Sequence, residues 1–255
     1  MRLIRNAIFF AVLFLSPLLV YADVFQYFDQ DGTLIITDRP HGLERPAPGH
    51  VVGPKNIKLE YKEDVYYDYY PVKGRNFQEV VHSVGINSPF DKTENKSYPA
   101  QTRWNLGWSY KFDCSYQIED SFIHVSLNIY AVDFRSDITV VLPMISENTE
   151  LNSHDLKLWK DFMQRLLSHE HDHVRIIKDP LYQDKALNAI SKLRELIFLY
   201  EPHSDIDSVI RKAVEAETGK IGHDFIKAIK ARNDEYDRLT EHGLKPEMRD
   251  VFFGM

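Results

Sequence analysis

Residues 166–177 read LLSHEHDHVRII. Three histidines, a glutamate and an aspartate interrupt a stretch that is otherwise largely apolar. As a strand, it would put all three histidines on one face. As a helix, it separates them. The flanks favour the helix. Trp159, Phe162, Met163 and Leu166 upstream, then Val174 and Ile177 downstream, recur at three- and four-residue steps, the period of a helix with one buried face. At about 100° per residue, His169 and His173 stack one turn apart at the edge of the apolar stripe, and Glu170 faces it too. His171 and Asp172 are expected to point away as bystanders.

The spacing that matters is then His169-Glu170-x-x-His173, the HExxH form. Two imidazoles one turn apart can each offer a nitrogen to one Zn²⁺ at about 2.0–2.1 Å. The glutamate beside the first histidine lies next to the open position. There it can take a proton from a zinc-bound water and later deliver it to a leaving amine. Zinc lowers the pKa of that water toward about 7, so a carboxylate base suffices at neutral pH. The competing reading is a helix whose histidines are merely solvated.

A catalytic zinc needs a third protein ligand. Downstream stand Asp179, Glu195, Glu201, His203, His223 and His242. Glu195 would suit if 181–200 is a helix. His203 follows Pro202 at a helix start, and His223 is expected on a solvent face. The stretch NDEYDRLTEHG (233–243) is different, because Asn233, Tyr236, Asp237 and Thr240 form a polar stripe at helical spacing. That stripe continues the apolar one marked by Ile226 and Ile229, so it needs buried partners. His242 ends the helix just before Gly243, a C′ glycine. It is either a projected ligand or an ordinary capping residue.

The chain of 255 residues opens with Arg2, Arg5 and an uncharged run from Ala7 to Ala22 that ends in Val-Tyr-Ala. This is the pattern of a secretory signal cleaved after Ala22. The run is 16 residues long, short of the roughly 20 that span a bilayer. No stable membrane span is expected after cleavage. Removing Arg2 and Arg5 lowers the basic residues from 31 to 29 against 38 acidic ones, a net of −9. No basic stripe remains to bind nucleic acid. The single cysteine, Cys114, has no mate in the chain and reads as a small hydrophobe.

VFQYFDQDGTLIITD (24–38) reads as a β-hairpin turning at Asp31-Gly32, and 39–55 as a proline- and glycine-rich linker. Strands are expected over 66–74, 102–112, 121–134 and 138–143, with a short helix over 76–86. Helices follow over 153–178, 181–200 and 204–241, the last with Ser204 and Asp207 as a capping box. Strands first and helices second give an α+β fold. It consists of an N-terminal β-hairpin module, a mixed strand region and a helical, HExxH metallopeptidase-like half. The expected divisions are 1–22 (signal), 23–58 (hairpin module and linker) and 59–255 (zinc peptidase domain).

From about residue 66 onward the chain resembles a bacterial family of predicted secreted zinc-dependent proteases, domain of unknown function nine-two-two. The matching pieces are YYPVKG, TRWNLGWSYKF with Cys114 just after, the VVLP strand end, LWKDFMQRLLSHEHDH and NDEYDRLTEHG. VFQYFDQDGTLIITDRP resembles a second small bacterial module, domain four-one-two-four. The first resemblance implies zinc and peptidase activity, with His169 and His173 as ligands and Glu170 as base. It also makes His242 preferred over Glu195 as third ligand. Tyr236 would donate to the developing oxyanion, and Asp237 would accept the second ring N–H of a ligand histidine.

The expectation is therefore an exported hydrolase, periplasmic or secreted, that cleaves a peptide, a protein or a peptidoglycan peptide. The alternative is a non-catalytic, zinc-stabilised binding module of the cell envelope.

Overall fold

A computed structural model describes residues 25–29, 34–37, 64–91, 94–199, 201 and 205–254. The expected signal segment, the linker over 39–55, the Asp31-Gly32 turn, His203 and Ser204 lie outside the described residues. The fold is mixed α+β. Its first strands, β1 (Phe25–Asp29) and β2 (Leu34–Thr37), pair antiparallel from Phe25↔Thr37 to Phe28↔Leu34, the hairpin expected from the sequence.

The next elements are β3 (Tyr66–Val72), α1 (Phe77–Asn87) and the two short paired strands β4 (Phe90–Asp91) and β5 (Lys96–Ser97). Two long strands follow, β6 (Gln101–Glu119) and β7 (Phe122–Ile145). The remainder is α2 (Ser153–Ile177), α3 (Pro180–Ser191), β8 (Glu195–Leu199), α4 (Ile206–Thr240) and α5 (Met248–Phe253). Hydrogen-bonded neighbours in the main sheet run β2-β1-β6-β7-β3, with β8 also on β7.

The described residues form two compact units. One takes Leu106–Arg135 and Asp179–Ile229 together with the hairpin. In it the first half of β7 alternates, with Ile123, Val125, Leu127 and Ile129 buried, as a strand with one solvated face should. Ile123, Val125 and Leu127 pack with Ile210 and Val214 of α4, and half-buried Cys114 joins the cluster. Burial raises the Cys114 thiol pKa, in keeping with a packing residue. Gly222 lets the Trp108 ring lie directly on α4, since a Cβ there would fall 1.8 Å from the indole.

The other unit takes Ser136–Lys178 and Lys230–Met255 with the described residues from Asp64 to Asn105. Here β3 runs parallel to the end of β7, from Tyr66↔Thr139 to Val72↔Ile145. This stretch of β7 is buried continuously from Ile138 to Pro143, the sign of a strand covered on both faces. Helix α2 starts where Asn152 accepts a hydrogen bond from the Asp155 backbone N–H at 2.9 Å, a cap worth about 1 kcal/mol. It buries Trp159, Met163, Val174 and Ile177 of the expected stripe, while Phe162 and Leu166 are only half-buried and Leu167, not expected there, is buried in their place.

Two expectations fail. The strands expected over 121–134 and 138–143 are one strand, because Arg135-Ser136-Asp137 contains neither proline nor glycine to break it. The helix expected over 181–200 stops at Ser191. ELIFL (195–199) becomes β8 because its backbone pairs antiparallel with β7, from Ser126↔Glu195 to Phe122↔Leu199. That partner lies about 70 residues away and outweighs local helical spacing.

Candidate metal centre

All residues of the site belong to the second unit. From α2, His169, Glu170 and His173 turn inward, as the periodicity requires; Glu170 is 4% exposed and His173 8%. From the last turns of α4 come Asn233, Tyr236, Asp237 and Thr240. Asn233, Tyr236 and Thr240 are buried, and Asp237 is partly so. The polar stripe thus has the buried partners it needs.

The Asp237 carboxylate meets both imidazoles. Its Oδ1 lies 3.1 Å from His169 Nε2 and 3.0 Å from His173 Nε2, while the two nitrogens are 3.2 Å apart. On the far side of the second ring, His173 Nδ1 lies 2.7 Å from Asn233 Oδ1. An amide oxygen only accepts, so Nδ1 carries the proton and donates. A neutral His173 then presents a bare lone pair at Nε2, facing a carboxylate oxygen and another ring nitrogen. Acceptors converging in this way need a shared positive charge, either an added proton or a metal ion.

In the metal-free protein the proton serves. Burial disfavours a charged His173, but its bond to Asp237, the Asp237 and Glu170 charges and the Asn233 bond outweigh that and push its pKa up to about 9. Burial likewise works against ionised Asp237. The bonds to His169 and His173 and their charges override it and hold its carboxyl well below the usual carboxylate range.

His169, His173 and Asp237 are the group able to hold a metal ion among the described residues. Two neutral nitrogens and one carboxylate oxygen are the donor set that Zn²⁺ accepts in an open, three-ligand site. The Asn233 bond supplies the outer partner that ligating histidines usually have. The residues therefore fit the ion.

His242, the expected third ligand, stands at the edge. Its Nδ1 is 3.6 Å from Asp237 Oδ1, and its ring is 37% exposed and stacked on Tyr98 at 4.5 Å. The backbone accounts for this placement. Glu241, His242 and Gly243 all have positive φ, at 49°, 53° and 82°. The chain doubles back over the helix end, and Lys245 N–H returns to Thr240 O at 2.8 Å. A Cβ at Gly243 would come within 3.2 Å of His169 Cγ, so glycine serves both the turn and the close approach. Tyr98 also donates to Glu94 and lies 3.4 Å from His242 Nε2.

Of the other ligand candidates, Glu195 begins β8 opposite Ser126, and Asp179 caps α3 by accepting from the Leu181 backbone N–H. Both belong to the first unit. His223 is exposed on α4 and Glu201 is exposed too.

Glu170 receives a hydrogen bond from Thr102 on β6, with Oγ1 2.6 Å from its Oε2. That leaves lone pairs on its carboxylate for a second proton donor. Tyr236 does not point to open space. It is 2% exposed and its hydroxyl donates to Asp172 Oδ2 at 2.7 Å, so the oxyanion role expected for it has no free hydroxyl behind it. Asp172 is not the outward bystander expected; it is 2% exposed and gripped by Arg249. His171 is not a bystander either, with its Nε2 2.9 Å from the Tyr67 hydroxyl. The sequence carried one unread signal for Asp237: Asn233 and Asp237 repeat on α4 the four-residue step of His169 and His173.

Residues 67–243 match the family model described as "Bacterial protein of unknown function (DUF922)", and the chain belongs to that family. No curated protein and no solved structure matches it.

Proposed function

We propose that this member of the family is a zinc-dependent peptidase of the bacterial envelope, exported to the periplasm or beyond. His169, His173 and Asp237 hold the ion and Glu170 is the general base. The observation that carries this reading is the convergence of His169 Nε2, His173 Nε2 and Asp237 Oδ1 within 3.0–3.2 Å, beside a buried glutamate. Bound there, zinc supplies Lewis acidity toward a substrate carbonyl and toward water.

The chain's own groups do the rest. Asn233 fixes the His173 tautomer and so aims Nε2 inward. Thr102 holds one oxygen of Glu170. The other takes a proton from the attacking water and returns it to the leaving amine. His242 and Tyr98, at the exposed edge, are the polar groups placed to meet a substrate.

The test pairs metal analysis with hydrolysis of a mixed peptide library and of peptidoglycan peptides. The expected result is cleavage by the wild type and none by Glu170→Gln, with zinc retained in both. Zinc retained without cleavage by either protein would contradict a peptidase and favour a zinc-stabilised binding module.

A further inference from the structure

Resting on that reading, we propose that Arg249 and Asp172 are positioning residues of the metal centre, acting through the ring of Tyr236. The two ligand histidines are held differently. His173 is anchored by Asn233, but His169 Nδ1 is buried with no hydrogen-bond partner among the described residues. Among the described residues, nothing polar fixes the rotation of the His169 ring from behind. Packing does so instead, with Gly243 close against one part of the ring and the Tyr236 ring stacked on it at 5.0 Å and 21°. Tyr236 also meets His173 edge-on at 5.3 Å and 88°. One phenol ring therefore backs the otherwise unanchored His169 and also packs against His173.

That ring is itself locked. Its hydroxyl donates to Asp172 Oδ2 at 2.7 Å, and Arg249 grips both oxygens of Asp172, Nε to Oδ2 at 2.5 Å and Nη2 to Oδ1 at 2.8 Å. A two-pronged guanidinium grip fixes direction as well as distance. It also supplies the countercharge that a carboxylate this deeply buried requires. Arg249 comes from α5, which two further arginines fasten. Arg232 lies over the Phe252 ring at 3.6 Å and donates to the Phe252 carbonyl, and Arg175 lies over Phe253 at 4.1 Å. Phe252 packs on Tyr236 at 4.9 Å. The C-terminal helix is thus a clasp on the metal centre, and retention of the ion depends on a segment that contributes no ligand.

The test uses the full mature chain as wild type, Tyr236→Phe, Arg249→Gln and Arg249→Lys. Zinc affinity is read by chelator competition, ligand geometry by the visible spectrum of the cobalt-substituted protein, and folding by circular dichroism. Tyr236→Phe and Arg249→Gln are expected to weaken zinc binding by about tenfold or more and to shift the cobalt bands while the circular dichroism stays that of the wild type. Arg249→Lys keeps the charge without the two-pronged grip and falls between. A merely structural role would lower the melting temperature and leave the cobalt bands in place. Should Arg249→Gln fail to fold, Tyr236→Phe decides, because it removes a single oxygen. Unchanged affinity and bands in the folded variants overturn the clasp alone. A wild type that binds no zinc overturns the metal reading and the clasp with it.

Discussion

His173 Nδ1 donates to Asn233 Oδ1 at 2.7 Å. This one bond decides what the opposite side of the ring can do, because it commits the proton to Nδ1 and leaves the Nε2 lone pair for whatever lies among His169, His173 and Asp237.

Removing that bond should therefore cost metal. Asn233→Ala frees the His173 tautomer and is expected to weaken zinc binding by about 10- to 100-fold. Asn233→Asp keeps an acceptor at the same place and should retain most of it. Competition with a chelator of known affinity measures both. Equal affinities for Asn233→Ala and wild type would mean the bond does not orient the ring.

Asp237 and His242 separate the two assignments of the third ligand. Asp237→Ala is expected to abolish stoichiometric zinc, whereas His242→Ala keeps the metal and loses turnover. The geometry favours this order, since Asp237 Oδ1 touches both imidazoles and His242 stands 3.6 Å beyond it, stacked on Tyr98. Zinc lost from His242→Ala and kept in Asp237→Ala would reverse the assignment.

Thr102 supports Glu170, the proposed base. Thr102→Val removes the hydroxyl 2.6 Å from Glu170 Oε2. A hydrogen bond to a charged group of this kind is worth about 1.5–3 kcal/mol, so kcat should fall about tenfold or more with zinc content unchanged. Thr102→Ser should restore the rate. Steady-state kinetics on a peptide cleaved by the wild type provides the measurement.

Gly243→Ala should damage stability and site together. The left-handed backbone at φ 82° costs a side chain about 1–2 kcal/mol. The added methyl would also press within 3.2 Å of His169 Cγ. A lower melting temperature in the metal-free protein and weaker zinc binding are expected. Gly254→Ala, at φ 67° with open space around it, should lower the melting temperature but leave zinc binding intact.

Much of this site was readable from local pattern. The His169, Glu170 and His173 trio depends only on helical geometry, and Asn152 and the apolar stripe of α2 fix that helix. The buried stripe of Asn233, Tyr236 and Thr240 was visible for the same reason. What escaped depends on contacts between distant parts of the chain. Asp172 is inward because α5 and Tyr236 cover a second side of α2, and a helical wheel drawn from one apolar stripe has no place for that cover. Glu195 left the candidate set because β7, far back in sequence, recruits ELIFL into the sheet. His242 was displaced by three successive positive φ angles, a turn that His-Gly alone does not dictate.

The central claim is that His169, His173 and Asp237 form a zinc site. Titration of Zn²⁺ into the metal-free protein, followed by elemental analysis after gel filtration, tests it most directly. The account predicts one tightly held zinc per chain in the wild type and none in Asp237→Ala. A wild type that retains no zinc, or an Asp237→Ala variant that retains it as tightly, would contradict the account.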